Sequence, residues 1–304
     1  MIRRGLGASG LELSVVGLGT SQYAQMGGPF GWGPQTDEDS LAALERAAEL
    51  GVDWVDSAPV YGGGHSEALV GRALANGSRL RVSTKCGVGM TSSGPRIDLS
   101  PAAIRSDLEQ SLQRLGTDHV AVLHLHRVDP EVPVEETWGE IAQLIDEGKI
   151  GGGGLCRYPL ELVERCHAVR PVASLMLPLS LLEREWAPQI DWAADNGVGV
   201  VVHSTLASGI LSGRMTPERW ASLPPDDFRS QSPEFGQRVD DAQPVLERLE
   251  AFAGDNGTTV AAAATAWAAA YPGVTAVIAG ARRPSQIEEL AAAVEIDPAK
   301  LQTL

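Results

Sequence analysis

The chain has 304 residues, 43% hydrophobic and 21% charged, enough for one large globular core. Thirty-nine acidic side chains against 24 basic ones give a formal charge of -15, a surface that repels nucleic acid and anionic membranes alike. No apolar run reaches the length of a membrane span, and the opening MIRRGLGASGLELS lacks the apolar stretch of a secretory leader, so a cytoplasmic protein is expected.

In chain order, IRRGLGASGLELS predicts a small hairpin around Gly-Ala-Ser-Gly. The run SVVGLGT (14–20) then reads as a strand, followed by the loop SQYAQMGGPFGWG. TDEDSLAALERAAELG predicts a helix with Thr36 or Asp37 as cap and Gly51 as stop. Strands are expected at VDWVDSA (52–58) and LRVSTKC (80–86), with His65 and Ser66 as structural residues at a helix start between them. SPAAIRSDLEQSLQRLG has Ser100 as cap, Pro101 at the first helical position and Gly116 as stop. HVAVLHLH (119–126) reads as a strand, PVEETWGEIAQLIDEGK as a helix, and IGGGGLC (150–156) as a strand. VASLML (172–177), helical DWAADNG and strand GVGVVVHS (197–204) follow. Residues 213–235 are rich in Pro and Ser and read as an irregular insertion, a lid over the top of the fold. VAAAATAWAAAY reads as a buried helix, VTAVIAG (274–280) as a strand and RPSQIEELAAAV as a helix.

Eight strands alternating with helices predict an α/β fold, a (β/α)8 TIM barrel with an N-terminal β-hairpin, as one domain over 1–304. A doubly wound sheet is the alternative, but the GxGxxG turn it needs is missing, since GLGTSQYAQMGG opens a loop.

Chemistry in such a barrel gathers at the C-terminal ends of the strands. Asp56, Tyr61, Lys85 and His126 stand there. Each alone has an ordinary reading as a turn cap, a packing ring or a solvated cation. Together they form a proton-transfer set: charged Lys85 lowers the pKa of the Tyr61 phenol, Asp56 holds Lys85, and His126 orients a carbonyl oxygen. His124 and His126 share a strand face, and with His203 or Cys156 they suggest zinc, but no ligand triad is fixed by spacing and no metal is expected. Cys86, Cys156 and Cys166 form no CxxC and suit a reducing compartment. Cys156 is expected to be a packed or pocket-lining thiol, with Arg157 pointing to the opposite face of the strand.

DSAPVYGGGHSEALVGRAL, STKCG, LGTDHVAVLHLHRVD and VIAGARRPSQIEELAAA resemble the aldo-keto reductase superfamily, almost end to end. GWGPQTDEDSLAALERAAELGVDWVDSA is similar to its bacterial, potassium-channel-β-subunit-like branch. The resemblance implies an NADPH-dependent carbonyl reductase acting on a small-molecule aldehyde or ketone. In it Tyr61 is the general acid, Lys85 and Asp56 tune it, and His126 positions substrate. The cofactor positions it implies are Cys156, Arg157, Met176, Ser204, Leu206, Gly280, Arg282 and Gln286. Several depart from the family pattern. Cys156 and Arg157 replace a Ser-Asn pair and Met176 replaces Gln, all three partners of the nicotinamide carboxamide. Leu179 replaces Tyr, the run from His203 to Leu206 replaces Tyr-Ser-Pro-Leu, and Leu290 replaces an adenine-binding Asn. Arg282 and Gln286 remain, for the 2′-phosphate and adenine.

Each lost hydrogen bond to a buried amide costs about 1–3 kcal/mol. Two enzymatic readings stay open: a reductase with a rebuilt nicotinamide pocket, and a redox-neutral proton-transfer enzyme (dehydratase, lyase, isomerase or cyclase) that no longer uses NADPH. A non-catalytic regulatory subunit is a third, which the intact tetrad speaks against. Arg157 either donates to the carboxamide or binds a substrate carboxylate or phosphate. Tyr23, Phe30, Trp32, Arg157 and His203 are the expected substrate contacts, suiting an apolar or ring-shaped molecule. Relatives include monomers and tetramers, so the sequence leaves monomer and homo-oligomer both open.

Overall fold

The N-terminal segment pairs antiparallel, β1 (Arg3–Gly5) on β2 (Glu12–Ser14), in a computed structural model that describes residues 1–24, 31–91 and 94–304. The strands that follow are β3 (Val16–Gly19), β4 (Trp54–Asp56), β5 (Arg81–Cys86), β6 (Val88–Thr91), β7 (Gly94–Ile97), β8 (Val122–Leu125), β9 (Gly153–Cys156), β10 (Ser174–Pro178), β11 (Gly199–His203) and β12 (Ala276–Gly280). Eight of these, β3, β4, β5 and β8 to β12, close into a barrel in which every neighbour is parallel. The fold is a (β/α)8 barrel with an N-terminal hairpin. Seven of the eight barrel strands fall inside the apolar runs read from the sequence and β10 passes its run by one residue, Pro178, because a strand covered on both faces must be apolar almost throughout.

The helix caps follow local chemistry. Thr36 accepts from the Asp39 amide ahead of Asp37–Glu49, and Ser100 accepts from Ala103 ahead of Pro101–Leu115, which Gly116 ends at φ 65°. Four helices were not legible in the sequence: Leu160–Val169, Pro217–Ala221, Pro233–Asp241 and Gln243–Asn256. Nor was the antiparallel ribbon β6–β7. Residues 213–235 are a correction. They hold the helix Pro217–Ala221, a 3-10 turn at Phe228–Gln231 and the start of Pro233–Asp241. Thr216 and Ser232 cap those helices, with Pro217 and Pro233 in the first turn. The Ser and Pro content that reads as irregular is helix-start chemistry. Among the described residues no helix is long and apolar enough to cross a membrane.

Inside the barrel, large side chains fill spaces left by glycines. Leu6 and Leu13 of the hairpin join Trp54, Val122, Cys156, Met176, Val201, Ala276 and Ile278 in one inner cluster. A Cβ on Gly17 would stand 2.0 Å from the Trp54 ring, and one on Gly154 would stand 2.3 Å from the His124 ring. The glycine run before Cys156 is thus barrel wall, thinned so that His124 can lie across the interior. His124 Nδ1 meets Ser83 Oγ and its Nε2 meets Ser174 Oγ, both at 3.3 Å. Gly154→Ala is expected to cost about 1–3 kcal/mol through overpacking. Urea denaturation reads this directly, and an unchanged midpoint would mean that the His124 ring moves aside freely.

Candidate active site

Asp56 ends β4, Lys85 lies in β5 and His126 follows β8, so parallel strands in register bring three side chains to one end of the barrel. Tyr61 reaches the same place from the turn after β4, where Gly62, Gly63 and Gly64 all have positive φ. Lys85 Nζ donates to Asp56 Oδ2 at 2.6 Å and to the Ser57 carbonyl at 2.8 Å. The Lys85 and Asp56 side chains are only 2% and 5% exposed. Lys85 Nζ lies 5.0 Å from the centre of the Tyr61 ring, and the His126 ring meets that ring edge-on at 6.2 Å.

The electrostatics follow from burial. Burial alone would lower the Lys85 pKa, but the charges of Asp56 and Tyr61 outweigh it and hold the ammonium above its ordinary value. Burial raises Asp56, with Lys85 pulling the other way. Tyr61 departs from expectation. Burial raises its pKa, and Lys85 offsets this only in part, so the phenol stands above its ordinary value and stays protonated. Burial, Lys85, Arg127 and Arg157 push His126 well below the usual imidazole range. Burial likewise raises the Cys156 thiol, which is therefore no thiolate nucleophile.

These groups floor a cavity of about 470 Å³. Of the positions expected to bind cofactor or substrate, Cys156, Arg157, Met176, Ser204, Leu206, Gly280, Arg282, Gln286, Trp32 and His203 line it. Tyr23 does not. It is fully buried in the outer core, its hydroxyl without a partner among the described residues, because the 3-10 turn Ser21–Tyr23 directs it away from the barrel mouth. Phe30 lies outside the described residues. Arg157 lines the cavity as a binding residue should, but on the same side as Cys156 and not on the opposite face that strand alternation predicts, because φ 56° takes it out of strand geometry. His203 Nδ1 meets Ser204 Oγ at 2.8 Å, and burial with Arg157 holds His203 neutral. Among the described residues no three His, Cys, Asp or Glu side chains are grouped to hold a metal.

Sequence reasoning passed over Arg127, Phe228 and Arg229, which also line the cavity. Arg127 was within reach, one residue past His126. The other two lay in the segment read as irregular. That segment is fastened to the loop after β3. The Phe228 amide donates to the Gly31 carbonyl at 2.9 Å, the Trp32 and Phe228 rings meet at 5.0 Å, and Arg229 lies over Trp32 while gripping Asp227 at 2.6 and 2.8 Å.

The cavity suits a dinucleotide at one end better than at the other. Where adenosine would lie, Arg282 and Gln286 stand together, the Gln286 Oε1 accepting from the Arg282 amide at 2.8 Å. The Arg282 guanidinium is committed to Gln35 Oε1 and the carbonyls of Trp32, Gly33 and Pro34, so a phosphate there must compete with that loop. Met176, Cys156 and Leu206 give the lining an apolar stretch that fits a flat ring and offers no carboxamide partner, and Ser204, His203 and Arg157 are among the polar residues that line the same cavity.

The sequence model of the Aldo/keto reductase family matches residues 15–303. The chain is 33% identical to the Aldo-keto reductase YhdN of Bacillus subtilis over 288 residues, 93% of this chain and 85% of that protein. It is 31% identical to Probable aldo-keto reductase 1 of Glycine max over 86% of this chain and 75% of that one. Among solved structures, the glycerol dehydrogenase AKR11B4 from Gluconobacter oxydans superposes with a TM-score of 0.87 at 29% identity, covering 99% of this chain and 93% of that one. The aldo-keto reductase AKR11C1 from Bacillus halodurans, at 24% identity and TM-score 0.79 over 100% and 96% of the two chains, shares the fold.

Proposed function

The chain belongs to the aldo/keto reductase family and is an oxidoreductase, and from that premise we propose that it reduces the carbonyl of a small-molecule aldehyde or ketone with NADPH. The observation that carries the reading is the buried Asp56–Lys85 ion pair set against the protonated Tyr61 at the floor of the cavity. NADPH, when bound, supplies the hydride. The residues supply the rest. Tyr61 Oη gives a proton to the carbonyl oxygen as negative charge develops there. Lys85, charged and held by Asp56, stabilises the tyrosinate left behind. Neutral His126 donates a hydrogen bond to the same oxygen and fixes its direction. Arg282 and Gln286 hold the adenosine end, while Met176, Cys156, Leu206, Ser204 and Gly280 line the rest of the groove. Residues 213–235, with Trp32 beneath them, act as a lid that keeps water from the reacting centre. The chain functions as one domain in the cytoplasm.

Titration calorimetry with NADPH and NADP⁺ tests the cofactor, with micromolar binding expected. No heat at millimolar cofactor would leave the proton-transfer set without a hydride source and overturn the proposal.

The pH profile tests the acid. Tyr61 is raised and His126 lowered, so neither changes charge across the neutral range. We expect kcat/KM for reduction to stay flat from about pH 6 to about pH 9 and to fall only as Tyr61 loses its proton above its ordinary value near 10. A bell centred near neutrality would give the proton to another group.

A further inference from the structure

Beside Tyr61 and His126, the half-buried Arg157 and the exposed Arg127 face the cavity with no side-chain partner among the described residues. Arg157 and Arg127 both line it, each one residue past a barrel strand or its tetrad histidine, and among the described residues neither side chain has a hydrogen-bond or ion-pair partner. Arg157 Nε is fully shielded and unpaired. Elsewhere on the wall Arg229 is held by Asp227, Arg214 by Glu289 at 2.8 Å and Arg282 by loop carbonyls, while Arg219 lies exposed in the helix Pro217–Ala221. The acids that line the cavity are also committed, Asp56 to Lys85 and Glu289 to Arg214. Among the described residues no cavity-lining acid is left to neutralise Arg127 and Arg157. In a chain of charge -15 this is a local reversal of sign.

The placement has a backbone cost. Arg157 holds φ 56°, a conformation disfavoured for a long side chain, and this is what turns it from the far face of β9 into the cavity. A buried, unpaired guanidinium nitrogen is costly unless an acceptor arrives. The two neighbouring imidazoles, His126 and His203, feel both arginines, which help to hold them neutral.

We propose that the substrate carries an oxyanion group, a carboxylate or a phosphate, near its carbonyl, and that Arg157 together with Arg127 receives it. Arg157 is thereby a substrate residue rather than a replacement carboxamide donor. This deepens the carbonyl-reductase reading, but anion binding is measurable without turnover.

The test is calorimetric titration of the full chain at low ionic strength with phenylglyoxylate, its neutral amide, and inorganic phosphate. Phenylglyoxylate is expected to bind at least about tenfold more tightly than the amide. Arg157→Asn and Arg127→Gln should each lose about tenfold or more of that affinity, with amide binding unchanged. Asn tolerates the left-handed backbone, so Arg157→Asn keeps the fold, and Arg157→Lys should restore part of the affinity. Phosphate binding more tightly than phenylglyoxylate assigns the oxyanion to a phosphate ester, and the reverse order assigns it to a carboxylate. Equal binding of acid and amide, or undiminished binding in Arg157→Asn, overturns the proposal. Anion binding lost in Arg157→Asn, without any NADPH-dependent turnover, would sink the reductase reading alone. Equal kcat/KM for phenylglyoxylate and a neutral aldehyde would sink this one alone.

Discussion

Tyr61→Phe is expected to lower kcat/KM for carbonyl reduction by about 10²–10⁴-fold, with NADPH affinity unchanged. The substitution keeps the ring and removes only the hydroxyl, so the packing against Lys85 at 5.0 Å and His126 at 6.2 Å survives. No neighbour can take over the proton. Lys85 Nζ gives two of its three hydrogens to Asp56 and the Ser57 carbonyl, and its pKa stands above the ordinary lysine value. His126 is neutral, and a neutral imidazole is a poor acid. The Cys156 thiol is pushed upward by burial. Steady-state kinetics beside a cofactor titration separates the outcomes. A large loss of turnover with cofactor binding intact assigns the proton to Tyr61. Unchanged turnover would remove it from the mechanism.

The barrel was legible because period and punctuation agree. Each barrel strand is a short apolar run buried on both faces, and Thr36, Ser100 and Gly116 mark helix ends by their own hydrogen bonding. The meeting of Asp56, Tyr61, Lys85 and His126 in one cavity was legible because strand ends in a parallel barrel share one rim. What escaped the sequence had a different origin. The pKa of Tyr61 depends on how far burial outweighs one nearby cation, a balance of three-dimensional distances that spacing does not encode. Arg157 reaches the cavity only because its backbone leaves the strand region, and nothing in Cys-Arg-Tyr-Pro announces a positive φ. Tyr23 reads as a pocket aromatic because it stands near the rim in sequence, yet a single 3-10 turn sends it into the outer core. Gly154 shows the converse case. Its role is set by a histidine thirty residues earlier, so the glycine run is intelligible only once β8 and β9 are seen side by side.

Lys85→Met should be the most damaging change to stability at the site, about 3–5 kcal/mol near pH 8, because it strands the Asp56 carboxylate in a buried position without its partner. The loss should depend on pH in a definite direction. Burial already raises the Asp56 pKa with Lys85 present, and the ammonium is what pulls it back, so its removal raises the folded-state pKa further above the unfolded value near 3.9. A group raised on folding gives its full stability below the unfolded pKa and loses it as pH rises toward the folded one. The deficit of Lys85→Met relative to wild type should therefore be smaller at about pH 5 than at about pH 8. Lys85 itself stays charged in folded and unfolded chains across that window and adds no slope. Adding Asp56→Asn to Lys85→Met removes the stranded charge, and the double variant should regain stability at pH 8 and lose the pH dependence. Urea denaturation of the three proteins at both pH values decides the matter. A deficit equal at the two pH values, and not relieved by Asp56→Asn, would mean that Lys85 stabilises the barrel by filling space, and that its ion pair serves Tyr61 alone.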